Sequence, residues 1–394
     1  MYILPTLCLA LLIIWCARAS KLIDDFHDAN SKFTAEGYKI IRRLNLTSNF
    51  LFCPLSAQIV VALIRAGANG TTADELALHI HNPKTKQLFS KVLSSIKSKQ
   101  KCEFKMATNL YISDKYHVKK QFKNFSKKVF RATTEVVNFN ETKKVINYIN
   151  DWVANQTKHN IKEIVSSPDI HKGTEIIAVN GLYFNGDWLY PFDPTFTDRI
   201  RFHVNNNKSI LINMMRSENK FKYRKDAVLK AQFLELPFYD QDVIMTFILP
   251  TTRFGLDKIE ENISDYLPHR RSLNYHAVSV TIPIFKVECN IDLVAILKNV
   301  CTFQMGVRTP FSIGADFSRM SDTTPSPVVG NIIQKTFLEI NEKGATAAAS
   351  TAVVIEGRNV PPRNIFLANK PFLYYLWHKK VGIFFIGRYT SPKE

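Results

Sequence analysis

Residues 344–357 read Gly344-Ala345-Thr346-Ala347-Ala348-Ala349-Ser350-Thr351-Ala352-Val353-Val354-Ile355-Glu356-Gly357, small side chains throughout with one charge near the end. In an extended chain successive side chains alternate between two faces. One face then carries Ala345, Ala347, Ala349, Thr351, Val353 and Ile355, and the other Thr346, Ala348, Ser350, Ala352, Val354 and Glu356. The first face has no charge at all. Such a segment could enter an existing sheet as a middle strand, burying that face while the other stays compatible with solvent. Alanine is a poor strand former and a good helix former, and on these residues alone a helix is the preferred reading.

The residues that follow change the weighing. Ile355-Glu356-Gly357-Arg358 leads into Asn359, Val360 and then Pro361-Pro362, so a basic residue sits in a segment whose downstream prolines resist helix. An exposed, extended arginine is what a trypsin-like protease reads, through an acidic group at the base of its primary pocket. A strand of small residues ending in a protease bait is odd for a structural element and natural for a trap.

The chain around this segment has 394 residues, is 46% hydrophobic and 12% aromatic, and holds only 14 glycines, which excludes a disordered, collagenous or low-complexity protein. A chain of this length buries roughly three quarters of the surface its unfolded form exposes, so it needs no disulfide scaffold. Its 52 Lys and Arg against 34 Asp and Glu give a formal charge of +18.

Tyr2 to Cys16 is almost wholly apolar, short for a membrane span, and runs into Ala17-Arg18-Ala19, a small-x-small cleavage pattern. Residues 1–19 are therefore expected to be a secretory signal, and 20–394 a single soluble, extracellular domain. No later stretch has the roughly 18 uncharged apolar residues of a spanning helix. Secretion gives meaning to seven Asn-x-Ser/Thr sequons, at Asn45, Asn69, Asn124, Asn140, Asn155, Asn207 and Asn262. Cys53, Cys102, Cys289 and Cys301 remain after cleavage, with three complete pairings open to them and buried thiols equally open.

Phe26, Ala29, Phe33, Tyr38, Ile41 and Leu44 recur at helical spacing between charges, so an amphipathic helix opens the fold. Val243 to Leu249 reads as a buried strand ended by Pro250, His276 to Ile282 as a half-buried strand of period two, and Val381 to Ile386 as another. Helices dominate the first half and strands the second, with no repeated strand-helix-strand unit, which favours an α+β domain.

Catalytic patterns are lacking. The chain has no Gly-x-Ser-x-Gly elbow, Cys-x-x-Cys, His-Glu-x-x-His, Gly-x-Gly-x-x-Gly or phosphate-cradling Gly-Lys-Ser/Thr. His79-Ile80-His81 has no acidic or sulfur partner at a usual metal-ligand spacing. No enzyme activity, metal or cofactor is expected.

A series of motifs then runs the length of the chain. It begins with Asn49-Phe50-Leu51-Phe52-Cys53-Pro54-Leu55-Ser56, Gly67-Ala68-Asn69-Gly70-Thr71-Thr72, and Ile149-Asn150-Asp151-Trp152-Val153 with Thr157. Val179-Asn180-Gly181-Leu182-Tyr183-Phe184-Asn185-Gly186-Asp187-Trp188 comes next, then Phe192-Asp193-Pro194, Thr197, Met214-Met215, Leu236-Pro237-Phe238-Tyr239 and Leu249-Pro250. Asp316-Phe317-Ser318, Asn341-Glu342-Lys343-Gly344, Lys370-Pro371-Phe372 and Phe385-Ile386-Gly387-Arg388 with Pro392 complete it. In number and order these resemble the serpin family, and in detail its arthropod members.

The resemblance implies a serpin fold of three β-sheets and about nine helices, with an exposed reactive-centre loop over about 344–362 and a metastable native state, the strand-insertion case that general treatments of stored strain use as their example. A target protease would attack the bait carbonyl and form an acyl-enzyme, and the freed strand would insert into the central sheet before deacylation. Sixteen residues beyond the hinge Glu342 lies Arg358, which makes Arg358-Asn359 the expected scissile bond and Arg363-Asn364 its rival. The hinge is Glu342, Gly344, Ala345, Thr346, Ala347, Ala348 and Ala349, with Ala345 where threonine is usual. Asn180, Trp188 and Gln334 are the expected shutter and breach residues, Gln334 replacing the family's more common histidine and Cys53 a serine.

The function so implied is a secreted suicide inhibitor of Arg-specific, trypsin-like serine proteases of an extracellular cascade, acting as a monomer. The alternative is a non-inhibitory serpin that serves as a carrier or binding protein. Such relatives tend to have bulky, charged or proline residues in the hinge, and residues 345–352 have none.

From Lys84 to Arg131 fourteen Lys and Arg, less Glu103 and Asp114, leave +12. Lys119, Lys123, Lys127 and Arg131 recur every four residues, with Lys120 and Lys128 beside them, a helical stripe in the region where some serpins bind heparin-like polyanions. A solvated lysine-rich face is the plainer reading. Nucleic acid is a poor partner for a secreted chain without a recognition motif.

Overall fold

The computed structural model describes residues 3–44, 48–77, 85–96, 101–267, 273–299, 306–345 and 364–392. Helix α1 (Ile3–Leu44) contains the expected amphipathic stretch, with Phe26, Ala29, Phe33, Tyr38 and Ile41 buried, while Leu44 at its end is exposed. Helix α2 (Pro54–Gly67) starts on a proline, whose missing N–H would have had no partner in a first turn. It is apolar on nearly all sides and correspondingly buried between other elements. The remaining helices are α3 (Gly70–Ala77), α4 (Thr85–Ser95), α5 (Lys120–Phe130), α6 (Thr142–Gln156), α7 (Leu256–Glu261) and α8 (Leu293–Asn299). Eight α-helices are thus present among the described residues, against about nine expected.

The strands are β1 (Phe50–Phe52), β2 (Cys102–Ser113), β3 (Thr133–Val137), β4 (Ile176–Asp187), β5 (Asp198–His203), β6 (Ser209–Asp226), β7 (Ala231–Pro237) and β8 (Val243–Pro250), followed by β9 (Asn274–Pro283), β10 (Phe285–Asp292), β11 (Val329–Ile340), β12 (Gly344–Ala345), β13 (Asn364–Leu367), β14 (Phe372–His378) and β15 (Gly382–Tyr389). The three segments read as strands from their patterns lie in β8, β9 and β15. In β9 Val278, Val280 and Ile282 face the core, but Ser279 and Thr281 on the other side are also covered, by the neighbouring rows.

The α+β expectation holds, but the described strands form two hydrogen-bonded sheets where three were expected, two of the three being continuous through β6. Hydrogen bonding joins nine strands in the order β1-β15-β14-β8-β7-β6-β9-β13, with β5 on β6, and six in the order β10-β11-β12-β4-β2-β3. The two smaller sheets are continuous because β6 is long: Ser209–Met214 pairs with β5, Met214–Tyr223 with β9, and Lys222–Asp226 with β7. The main core lies between these sheets and around α2. A second apolar cluster, including Ile149, Val153, Ile177, Val179, Ile333 and Phe337, lies under α6 where that helix crosses the six-stranded sheet.

Candidate functional site

Strands β4 and β11 run parallel and pair directly from Val329↔Ile176 to Phe337↔Tyr183. Beyond that point they part, and β12 occupies the opening, with Ala345 opposite Ile340 on one side and Gly186 on the other. Among the described residues this strand comprises Gly344 and Ala345. The sheet therefore holds the beginning of a strand between two others that are zipped together ahead of it.

Local chemistry fixes this wedge. Gly344 has φ +152°, and a Cβ there would stand 2.0 Å from the Gly186 carbonyl oxygen, so the close approach of β12 to β4 requires glycine. The turn before it closes on itself, with Asn341 N–H donating to the Gly344 carbonyl at 2.8 Å. Glu342 is held by the Thr197 hydroxyl at 2.8 Å and its carbonyl accepts the Phe192 N–H, also at 2.8 Å. Trp188 lies against the same turn, its indole N–H donating to the Asn341 carbonyl at 3.0 Å and its ring stacked on Phe238 at 4.3 Å. The expected hinge and breach residues Glu342, Gly344, Ala345 and Trp188 are thus brought together.

Deeper along the same junction Gln334 of β11 faces Asn180 of β4, both fully buried. Gln334 Oε1 accepts the Cys53 N–H at 2.9 Å, and its Nε2 donates to the Cys53 carbonyl at 2.9 Å and to Asn180 Oδ1 at 3.4 Å. Asn180 accepts from the Ser56 hydroxyl and donates to Thr108 Oγ1 at 2.7 Å. The Gln334 amide thus makes the cross-strand bond and a two-point grip on the backbone at the start of α2. Ser56, Thr108 and the Cys53 backbone were not foreseen as partners, because they come from elements far apart in sequence and nothing local marks them. The Cys53 side chain is a free thiol, its pKa driven far up by burial and only partly opposed by Ser56.

Arg358, Asn359, Arg363, Thr346, Ala347, Ala348 and Ala349 lie outside the described residues, as do Asn45 and the His79-Ile80-His81 motif. The two ends of the bait segment are described. Ala345 lies in the six-stranded sheet, and Asn364 in the nine-stranded sheet, where β13 pairs in parallel with β9.

Helix α5 carries the basic stripe. Lys120, Lys127, Lys128 and Arg131 are exposed and Lys123 half-buried, while Lys119 precedes the helix and donates Nζ to the Ser318 carbonyl at 2.6 Å. Asn124, Asn140, Asn155, Asn207 and Asn262 are exposed, and Asn69 is half-buried against Asp316. No group of three or more metal-ligating side chains occurs among the described residues, and no described helix is long and apolar enough to cross a membrane.

Fold and site together define a protein whose six-stranded sheet holds Gly344 and Ala345 between two strands that pair directly elsewhere. A model of the family described as serpin (serine protease inhibitor) matches residues 28–392, and the chain belongs to that family. It is 30% identical to neuroserpin of Gallus gallus, over 90% of this chain and 89% of that protein. It is 29% identical to the antitrypsin of Bombyx mori, over 91% and 93%. The crystal structure of Serpin48, a highly specific serpin in the insect Tenebrio molitor, superposes with a TM-score of 0.86 at 30% identity, covering 94% of this chain and 99% of that one. Protease inhibitors thus stand among its relatives, insect ones included.

Proposed function

We propose that the protein is a secreted suicide inhibitor of trypsin-like serine proteases, with Arg358-Asn359 as the bond they attack. The observation that carries this reading is the wedge of Gly344 and Ala345 between β4 and β11, continued in sequence by uncharged small residues through Ala352. Seating those residues extends a strand that has already started and leaves Ala347, Ala349 and Thr351 on one face, where a charge would have to be desolvated. Opening the way means unzipping the parallel β4–β11 ladder and lifting α6 from Ile333 and Phe337.

The order of events follows from that geometry. The protease acylates its own serine with the Arg358 carbonyl, releasing Asn359 as a new amino terminus. The segment beyond Ala345 then zips between β4 and β11 and carries the acylated protease with it. Inhibition succeeds when insertion outruns deacylation. Secretion rests on the apolar leader ending at Ala19, and glycosylation on the exposed positions of Asn124, Asn140, Asn155, Asn207 and Asn262.

The test is incubation of the mature protein with trypsin followed by denaturing electrophoresis. An SDS-resistant adduct is expected, and Arg358→Ala should abolish it. Clean cleavage of the folded protein without adduct would sink the inhibitor reading, and an adduct that persists in Arg358→Ala would move the scissile bond to Arg363-Asn364.

A further inference from the structure

Strand β5 pairs only with β6 and turns Arg199, Arg201 and His203 away from the core while Phe202 is buried. Two cations from elsewhere in the chain reach the same edge. Arg253 brings Nη2 to 2.6 Å from His203 Nδ1. Lys370 is half-buried and donates Nζ to the Thr251 carbonyl at 3.3 Å, and the neighbouring Asn369 carbonyl accepts the His203 N–H at 2.8 Å.

The protonation of this cluster follows from its geometry. A guanidinium keeps its protons, so His203 Nδ1 must be the acceptor of the Arg253 contact, and the ring is neutral with its hydrogen on Nε2. Ser209 Oγ lies 2.9 Å from the same Nδ1. Burial lowers the pKa of His203, and Arg253 and Arg201 lower it further. Burial likewise lowers Lys370, with Arg253 adding to it. The charged groups that shift these two side chains, Arg253 and Arg201, are cations.

What the edge presents is therefore a set of donors, two guanidinium groups, an ammonium and an imidazole N–H, with no ion pair to a carboxylate among the described residues. A tetrahedral oxyanion is the complement of such a set. We propose that Arg201, His203, Arg253 and Lys370 form a binding site for a sulfate or phosphate monoester group, separate from the basic stripe on α5. The groups come from β5, the residues after β8, and the segment behind β13. A bound anion would thus tie the β5 edge to the chain that follows the carboxyl-terminal anchor of the bait segment. The site stands whether or not the protein inhibits proteases.

The test uses the full-length protein and three probes: inorganic sulfate, inorganic phosphate, and a heparin octasaccharide, each against sodium chloride of equal ionic strength. Binding is read by calorimetry, and the His203 ring by NMR titration. Occupancy should raise the His203 pKa, since a nearby anion favours imidazolium. Arg201→Gln and Arg253→Gln should each weaken binding about tenfold, ~1.4 kcal/mol. Lys123→Gln with Lys127→Gln on α5 should leave the His203 response unchanged. A response to the inorganic ions assigns a free anion, and a response to the octasaccharide alone assigns the ester group of a polymer. Unchanged His203 titration with all three probes would overturn the site, as would a His203 response that survives in the Arg201→Gln/Arg253→Gln double variant.

Discussion

Gln334 and Asn180 stand opposite each other across the parallel β4–β11 junction, and both are bound to the first turn of α2, Gln334 through the Cys53 backbone and Asn180 through Ser56. One helix start therefore holds both lips of the seam that strand insertion would have to open. The direct bond between the two side chains is the long one, at 3.4 Å. Parting the strands breaks that bond at little cost, whereas losing the grip on α2 leaves the buried Cys53 N–H without a partner.

Gln334→Ala would strand the buried Cys53 N–H, while the Cys53 carbonyl keeps the Ala57 N–H at 3.1 Å. An unsatisfied buried group costs about 1–3 kcal/mol, so the native state should lose about that much. The check is the urea midpoint, together with the rate at which the uncleaved protein forms polymers on warming. A variant as stable as the parent would show that water or neighbouring groups take over the two bonds.

At the open end of the seam, Gly344→Ala places a methyl against the Gly186 carbonyl in a backbone conformation that side chains avoid. The strain, about 1–3 kcal/mol, should expel β12 from the sheet and let β4 and β11 close above Phe337. Trp188, whose indole bonds to the Asn341 carbonyl, reports on this turn. Its fluorescence should shift in Gly344→Ala, and the amides of Gly186 and Asp187 should change their hydrogen-exchange protection. An unaltered emission spectrum would mean the wedge tolerates the methyl.

Much of this seam was legible in sequence, for particular reasons. The run from Val179 to Trp188 and the Asn341-Glu342-Lys343-Gly344 turn are contiguous, so the central strand and the hinge could be read off directly. Of the alternating segment that begins at Ala345, only Ala345 lies among the described residues, and it is in a strand. Thr108, Ser56 and the Cys53 carbonyl come together with Gln334 only after β2, α2 and β11 have packed, and no spacing along the chain encodes that. The same holds for the buried group in which Glu260 accepts from Tyr38 at 2.7 Å, Arg42 at 2.8 Å and Arg388 at 3.0 Å, joining α1, α7 and β15. Leu44 shows the opposite failure: it fits the apolar stripe of α1 by periodicity, yet the core ends a turn before it.

Ala347→Asp tests the insertion step apart from recognition. The aspartate leaves Arg358 available to the protease but puts a carboxylate on the face that must be buried, at an effective cost of several kcal/mol. Slower insertion lets deacylation win. With trypsin the variant should be cleaved at the parental rate while the SDS-resistant adduct falls to a minor product. The mirror change, Ala348→Asp, lies on the opposite face and should retain most of the adduct. Equal adduct from the two variants would contradict the assignment of faces.

Acid should weaken the attachment of α3. Glu75 accepts from the Arg308 N–H at 2.8 Å, the Thr309 N–H at 2.9 Å and the Thr309 hydroxyl. Burial raises its pKa, but these bonds outweigh burial and hold it below the ordinary 4.5. The unfolded chain then binds the proton more readily than the folded one, so this stabilisation is present above pH 4.5 and is lost as pH falls through the folded value. Urea midpoints at pH 6 and pH ~3.5 should differ less in Glu75→Gln than in the parent. An identical gap would assign the acid sensitivity to other carboxylates, Glu103 with its Lys158 and Lys105 partners first among them.

The basic stripe on α5 and the sequon at Asn124 occupy one helix, and they compete for the same solvent. Asn124 is exposed, one residue from Lys123 and three from Lys127, whereas the Ser126 that completes its sequon is buried, its hydroxyl bonded to the Lys123 carbonyl at 2.9 Å and to Thr134 at 3.1 Å. Attachment of a glycan must therefore precede folding of this helix, and once attached the glycan stands among the lysines. Exposed charges act on a polyanion within a Debye length of about 8 Å at physiological salt, and a bulky neutral glycan holds the polymer beyond that distance. Asn124→Gln, expressed in cells that glycosylate, should elute from heparin-agarose at higher salt than the parent. Lys120→Gln with Lys127→Gln should elute earlier than the parent in either background. If Asn124→Gln and the parent elute together while mass spectrometry shows Asn124 occupied, heparin is being held elsewhere on the molecule, and the stripe is no more than a solvated face.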